Sequence, residues 1–193
     1  FYAGFADRSA AVIDLATGKV DLLPAPPDNP RARTFMRALR LAAAPDGRTL
    51  AAVVETDRLW AWDTATGKIL WSAAGSDDAR DRGPPGCRPA FAPDGSALYV
   101  GMAKGEIAKL DPRTGKELAR LTAPVKLKSS VTRLAVSPDG KKLAAHTYYN
   151  EGELVLFELP NGEALWRRTF TLNDAVGAVA FAPDGGAVVT THA

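Results

Sequence analysis

The tripeptide Pro-Asp-Gly occurs four times at nearly even spacing, and this repeat restricts the fold more than any other feature of the sequence. Its prolines lie 48, 45 and 45 residues apart. A second turn pattern, Asp-x-x-x-Gly with a Glu in its last copy, alternates with the first, and its glycines lie 49, 48 and 47 residues apart. Two turn markers with one shared period indicate a supersecondary unit repeated in space. The tripeptides begin at Pro45, Pro93, Pro138 and Pro183, and the second pattern ends at Gly18, Gly67, Gly115 and Gly162.

The apolar runs between these turns predict four β-strands in each repeat. One run precedes and one follows every Pro-Asp-Gly, as at 39–44 and 49–54. Here the proline presets φ, and the glycine accepts the left-handed conformation of a tight turn. A third run precedes each Asp-x-x-x-Gly turn and a fourth follows it, as at 59–62 and 68–72. Four antiparallel strands per repeat are typical of a β-propeller blade.

We therefore predict an all-β chain: a β-propeller of four-stranded antiparallel blades, with three whole blades and two partial ones in a single partial domain, 1–193. Residues 1–6 align with 98–103, so the first blade lacks its innermost strand. Exposed blade faces favour ring closure. The ring can be closed in three ways. Missing blades of the same longer chain would give a ring of about six to eight blades. Alternatively, strand 176–182 completes the first blade in a four-blade ring, or a second copy of the chain closes the ring. The predicted blade repeats are approximately 1–23, 38–73, 87–122, 131–170 and 176–193.

Composition and charge exclude several classes of protein. Lys+Arg 24 against Asp+Glu 22 gives a formal net charge of +2, without any run of five like charges, which disfavours a nucleic-acid binder. Cys87 is the single cysteine, and with only His146 and His192 the chain has too few ligands for a disulfide framework or a structural zinc site. No apolar run reaches the roughly 18 residues of a membrane helix. We expect a soluble protein without a membrane span, in either the cytoplasm or the periplasm.

The turn motifs resemble those of bacterial WD-repeat propellers over almost the whole chain. The resemblance rests on Ser/Ala-Pro-Asp-Gly-x-x-Leu, on an apolar strand that ends in Trp62-Asp63, and on the Thr-Ala-Thr-Gly-Lys that follows. It implies a propeller that presents a rigid surface for protein binding. Only this repeat has the literal Trp-Asp pair, and the buried Asp-His-Ser/Thr network of that family has no counterpart here.

Residues 61–71 are also similar to the Ala-x-Asp-x-x-x-Gly-x-x-x-Trp docking motif of quinoprotein dehydrogenases, and Trp166 after Gly162 repeats the pattern. The resemblance implies that the Trp of one blade packs on the neighbouring blade. Those enzymes also need calcium ligands, a catalytic Asp and often haem, and the Cys-x-x-Cys-His signature of haem attachment is absent. We therefore expect a propeller without a quinone or any other cofactor.

Segment lengths predict where a partner binds. Each Pro-Asp-Gly proline is separated from the next turn glycine by a nearly constant 22, 22 and 24 residues, whereas the crossings between blades shorten from 27 to 21. Both fixed turns belong to one end of the sheets, so the variable crossings lie at the other end, and variable surface loops often carry binding specificity. The alternative is that the lengths of these loops vary without any role in binding.

An arginine stands five residues before the turn proline in three of the four repeats, and Ala178 takes this position in the fourth. Guanidinium groups suit carboxylate or phosphate, so we predict a basic rim that receives an acidic peptide or an anion. The alternative is that each arginine pairs with a carboxylate of the neighbouring blade. The predicted binding residues are Arg40, Arg88 and Arg133, with Arg37, Lys126 and Lys128 in the same loops.

These observations predict a non-catalytic protein–protein interaction scaffold without catalytic residues or a metal site. Phosphate loops, nucleophile elbows and dinucleotide fingerprints are absent from the sequence. Two alternatives stay open: a quinoprotein-like propeller of the dehydrogenase or outer-membrane assembly type, and the sensor domain of a larger signalling protein. Cys87 is either a thiol activated by the basic rim or, as we expect, a small buried hydrophobic residue.

Overall fold

A computed structural model of the chain shows strands β1–β17 arranged as five antiparallel sheets that follow one another in chain order. No helix in the part of the chain that it describes has the length and apolar character needed to cross a membrane. The described residues are 2–4, 10–24, 40–54, 58–74, 87–102, 105–122, 131–147, 152–159, 161–170 and 176–192.

Three of the sheets are complete blades of four strands, each built from one continuous segment of chain. The first has β4 (Arg40–Ala43), β5 (Thr49–Val54), β6 (Arg58–Asp63) and β7 (Ile69–Ala74). The second has β8 (Ala90–Phe91), β9 (Leu98–Gly101), β10 (Glu106–Leu110) and β11 (Glu117–Thr122). The third has β12 (Val131–Val136), β13 (Lys142–Thr147), β14 (Gly152–Glu158) and β15 (Ala164–Phe170). The predicted fold class is confirmed.

Two partial sheets flank the complete blades. The first contains β1 (Tyr2–Gly4), β2 (Ala10–Ile13) and β3 (Val20–Leu23), and the last contains β16 (Val176–Phe181) and β17 (Val188–His192). β16 pairs with β17 and lies in a different sheet from β1. The four-blade ring, in which strand 176–182 completes the first blade, is therefore wrong for the described strands, because β16 forms its own hairpin.

The Pro-Asp-Gly turns form as the sequence predicts. In the first of them, the Ala44 N–H donates to the Thr49 carbonyl at 2.8 Å, and the Gly47 N–H donates to the Ala44 carbonyl at 2.9 Å. Gly47 has φ +69°, a conformation that glycine adopts without steric cost. The Asp46 carboxylate accepts the Arg48 N–H at 2.9 Å, so the aspartate side chain stabilises the turn to which it belongs.

The two families of turns lie together at one end of the sheets, which we name the turn end. Within the first complete blade, the Thr64 hydroxyl donates to the Gly47 carbonyl at 2.5 Å and thereby joins the two turns. Between blades, a Cβ built on Gly95 would lie 3.9 Å from Pro45 Cδ, so successive Pro-Asp-Gly turns lie next to each other. The inter-blade crossings start and finish at the opposite end, which we name the crossing end.

The core lies between the sheets, and the inner strands are buried on both faces. Ala51 and Ala52 are neighbours in β5, point to opposite faces and are both fully buried. Ala52 belongs to the cluster that contains Leu23 of the preceding sheet, and Ala51 to the cluster that contains Leu98 of the following sheet. Two buried faces explain why these strands lack the alternation of apolar and polar residues that a half-exposed strand shows.

Candidate functional site

Three arginines, which we name the arginine cluster, lie at the crossing end of the innermost strands. Arg40 is the first residue of β4, Arg88 lies two residues before β8, and Arg133 is the third residue of β12. β4 contacts β8, and β8 contacts β12, so three consecutive blades contribute one arginine each. The structure thus brings the three main predicted binding residues to one region, and their role in binding stays a prediction.

Arg133 is half-buried and is held in place by backbone carbonyls. Its Nε donates to the Gly177 carbonyl at 2.9 Å, and its Nη1 donates to the Thr132 carbonyl at 2.9 Å. Gly177 belongs to β16, so this side chain connects two neighbouring innermost strands. The contact across the blade boundary at Arg133 is therefore made with a backbone carbonyl, and the alternative that each arginine pairs with a carboxylate of the neighbouring blade stays a prediction.

The arginine cluster concentrates positive charge. Burial, followed by the nearby charges of Arg40 and Arg88, lowers the pKa of Arg133 below its ordinary value. Within the described ranges, no carboxylate lies within ion-pair distance of Arg40 or Arg88. The outer strand β11 shows the contrasting arrangement, because Arg120 there pairs with Glu106 at 2.8 Å and Glu117 at 2.7 Å. Like charges held together repel, and an anionic ligand would relieve this repulsion.

The other predicted members of the basic rim lie outside the described residues. Arg37 precedes β4, and Lys126 and Lys128 fall in the crossing between β11 and β12. The described part of the site therefore consists of the arginine cluster and its immediate neighbours.

Cys87 lies beside this cluster but is shielded from solvent. Its Sγ accepts the Gly101 N–H at 3.2 Å and donates to the Arg88 carbonyl at 3.6 Å. Burial raises the pKa of the Cys87 thiol to about 12, and this effect outweighs the opposing influence of Arg133 and Arg40. The thiol is therefore protonated at neutral pH and lacks the thiolate that nucleophilic chemistry requires. Cys87 is the small buried residue that we expected.

The sequence analysis missed the role of Gly101 beneath the site. A Cβ at this position would lie 2.6 Å from Cys87 Sγ and 2.8 Å from Val131 Cβ, so the absence of a side chain at Gly101 of β9 leaves space for Cys87 and for Val131 of β12. The signal was present in the alignment of 1–6 with 98–103, in which Gly4 and Gly101 coincide. Elsewhere in the described ranges, no three His, Cys, Asp or Glu side chains form a group that could hold a metal ion.

A comparison with protein families matches most of the chain. A family model described as outer membrane protein assembly factor BamB matches residues 32–191. No curated protein sequence matches the chain. This match supports the alternative of a quinoprotein-like propeller, of the dehydrogenase or outer-membrane assembly type, that the sequence analysis left open.

Two solved structures illustrate the likeness in fold. The crystal structure of the mitotic checkpoint complex contains a chain with TM-score 0.74 and 18% identity, over 98% of this chain and 53% of that chain. Hydrazine synthase of Kuenenia stuttgartiensis gives TM-score 0.75 and 18% identity, over 96% of this chain and 49% of that chain. This chain thus spans about half the length of the structures that it matches. The likeness confirms a propeller-like repeat fold without specifying a WD repeat.

Proposed function

The chain belongs to the family described as outer membrane protein assembly factor BamB, and from this premise we propose that it is a non-catalytic interaction module that binds an acidic segment of a partner protein at its arginine cluster. Partner binding suits the description of the family, since an assembly factor acts on other proteins. Under this proposal the chain has the assembly role rather than a dehydrogenase role, and its resemblance to WD repeats reflects the shared use of a propeller as a binding platform.

The observation that carries the proposal is that three arginines of consecutive blades come together at the crossing end, and that no described carboxylate lies within ion-pair distance of Arg40 or Arg88. Arg40 and Arg88 have no carboxylate partner among the described residues, and Arg133 is held next to them by hydrogen bonds to Thr132 and Gly177. A fold that needed these positions only for packing would not gain from three like charges there. Carboxylates that bridge two guanidinium groups would form charge-assisted, bidentate hydrogen bonds.

The experiment measures the fluorescence anisotropy of a fluorescein-labelled octaglutamate peptide titrated with the chain. We expect saturable binding that weakens as salt is added, because partly exposed charges are screened. The variant Arg40→Glu/Arg88→Glu/Arg133→Glu should bind about tenfold more weakly or worse, which corresponds to the loss of one or more charge-assisted contacts. Circular dichroism establishes that the variant keeps its β-structure.

A matched control changes the net charge equally at the other end of the sheets. Lys68, Lys116 and Lys141 are exposed residues of the turn end, and their replacement by Glu should change the affinity less than about twofold. Equal weakening by both triple variants would show that only the overall charge attracts the peptide. That result, or an arginine variant that binds as well as the original chain, would contradict the proposed site.

A further inference from the structure

The three arginines of the cluster differ in how their backbones are held. Arg40 is paired with Val53 in the ladder between β4 and β5, and Arg133 is paired with His146 in the ladder between β12 and β13. In the second complete blade, the described pairs between β8 and β9 begin two residues after Arg88. The backbone of Arg88 therefore lies outside the described ladder of its blade, and something else must hold it at the crossing end.

A buried thiol makes the contact that the ladder does not make at this point. Pro89, which follows Arg88, has no N–H and cannot donate to a neighbouring strand. On the other side of Arg88, Cys87 Sγ accepts the Gly101 N–H of β9 at 3.2 Å and donates to the Arg88 carbonyl at 3.6 Å. One side chain thus ties the backbone of Arg88 to the second strand of its blade.

The third complete blade uses the same position in a similar way. Thr132 stands directly before Arg133, as Cys87 stands directly before Arg88. Thr132 is buried, and its hydroxyl donates to the carbonyl of His146 in β13 at 3.4 Å. In both blades, the residue before the arginine therefore hydrogen-bonds to the second strand through its side chain.

The last sheet has neither part of this arrangement. Ala178 takes the place of the arginine, and Gly177, which has no side chain, takes the preceding position. In the first complete blade, Leu39 precedes Arg40 and lies outside the described residues. Where the structure describes both positions, a hydrogen-bonding side chain precedes the arginine and is missing where the arginine is missing.

Cys87 also lies where the second and third complete blades meet. Its side chain belongs to the same buried cluster as Val131, the first residue of β12. The Val131 N–H donates to the Met102 carbonyl at 3.4 Å and joins the two blades at this point. Burial raises the pKa of the thiol and the charges of Arg133 and Arg40 oppose this rise, so the sulfur lies close enough to both guanidinium groups to interact with their charges.

We propose that Cys87 is a positioning residue for anion binding, because its thiol holds Arg88 beside Arg133 so that one carboxylate of the partner reaches both guanidinium groups. This inference rests on the proposed function and adds the buried support of its site. Cys87 does not contact the partner itself, since its side chain is buried beneath the arginine cluster. The support matters most at Arg88, whose side chain is exposed and whose backbone lies outside the described ladder.

Two substitutions of Cys87 test this role in the octaglutamate titration. Cys87→Ala removes both hydrogen bonds of the thiol and should weaken binding at least about threefold, because Arg88 is no longer held beside Arg133. Cys87→Ser keeps a donor and an acceptor at this position and should bind within about twofold of the original chain. Circular dichroism establishes that both variants keep their β-structure. Equal weakening by the two variants would overturn the proposal.

Ser137→Ala is the matched control, because it removes the same number of hydrogen bonds from a buried side chain of the turn end. The Ser137 hydroxyl accepts the Lys142 N–H at 2.8 Å and donates to the Asp139 carboxylate at 2.6 Å. This variant should bind octaglutamate within about twofold of the original chain. Equal weakening by Ser137→Ala and Cys87→Ala would attribute the loss to general destabilisation and would contradict the positioning role.

A double-variant cycle tests whether Cys87 acts through Arg88. Arg88→Gln should weaken octaglutamate binding at least about twofold less in the Cys87→Ala chain than in the original chain, because the guanidinium group is already misplaced there. Equal losses in the two backgrounds would show that the residues act independently, and this result would overturn the proposal.

A measurement without peptide separates this inference from the proposed function. The backbone N–H order parameter of Arg88, obtained from NMR relaxation, should be about 0.85 in the original and Cys87→Ser chains and fall towards about 0.6 in Cys87→Ala. The value for Arg133, which lies in a ladder, should stay unchanged. An Arg88 backbone that stays rigid in Cys87→Ala would overturn the positioning role, whether or not the peptide binds. Loss of order at Arg88 in a chain that does not bind octaglutamate would instead contradict the proposed function and support the contact between Cys87 and Arg88.

Discussion

The turn end and the crossing end both repeat a charged residue from blade to blade, but they satisfy its charge differently. At the turn end, backbone N–H groups within the same turn hold each aspartate; Asp111, for example, accepts the N–H groups of Arg113 and Thr114 at 2.9 and 2.8 Å. At the crossing end, backbone carbonyls hold Arg133, the charges of Arg40 and Arg88 lie near it, and no described carboxylate lies within ion-pair distance of those two residues. Repetition alone therefore does not distinguish a structural residue from a binding residue, whereas the local hydrogen-bond partners do.

The largest expected effect concerns a glycine of the turn end. Gly115→Ala should lower the free energy of unfolding by about 2 to 5 kcal/mol, because the alanine takes a left-handed φ and its Cβ collides with the Trp71 ring. Gly18→Ala is the matched control, with nearly the same φ but no atom of the described residues within 4 Å of the Cβ, and should cost only about 1 to 2 kcal/mol. Urea denaturation measures both, and equal costs would show that the close approach of Trp71 to Gly115 does not stabilise the fold.

Acid should weaken the turn end as a whole. Hydrogen bonds from backbone N–H groups, or from the Ser137 hydroxyl in the case of Asp139, lower the pKa of five turn aspartates. Because each folded pKa lies below the unfolded value, the stabilisation is present above about pH 4 and is lost as the pH falls through the folded pKa. Stability to urea should therefore decline below about pH 4. The five residues are Asp14, Asp63, Asp94, Asp111 and Asp139.

One variant pair makes this prediction specific. Asp111→Asn should reduce the loss of stability in acid, because the remaining amide no longer titrates. Glu163→Gln is the control, since the Glu163 carboxylate has no described hydrogen-bond partner. If the two variants have the same stability profile between neutral pH and acid, the carboxylate hydrogen bonds of the turn do not stabilise the fold.

A smaller effect tests the indole hydrogen bond between blades. Trp71→Phe keeps an aromatic ring on Gly115 but removes the donor to the Pro112 carbonyl, and should cost about 1 kcal/mol of unfolding free energy. Trp60→Phe is the control, because Trp60 Nε1 is buried and has no hydrogen-bond partner in the described structure. The Trp60 variant should lose less stability than the Trp71 variant in thermal or urea unfolding, and the reverse order would contradict the role assigned to the indole N–H.

The sequence predicts the structure of the turn end more completely than that of the crossing end, because the interactions at the turn end are local. The Pro-Asp-Gly and Asp-x-x-x-Gly turns are local, so their hydrogen bonds and the left-handed glycines at Gly47 and Gly115 follow from a few neighbouring residues. The contact of Arg133 with the Gly177 carbonyl joins positions 44 residues apart, and its geometry depends on how two blades pack. The spacing from the turn proline predicted where the arginines lie but not what they contact.

The smallest expected effect lies at the crossing end. Arg88 is exposed and lies near other positive charges, so Arg88→Gln should change the free energy of unfolding by no more than about 0.5 kcal/mol. The same substitution should weaken octaglutamate binding measurably, because a guanidinium donor to the peptide is lost. Urea denaturation and peptide anisotropy on one protein preparation separate the two roles. A loss of stability above about 1 kcal/mol with unchanged peptide binding would make Arg88 a structural residue like the turn aspartates, and the contrast between the two ends would then disappear at this position.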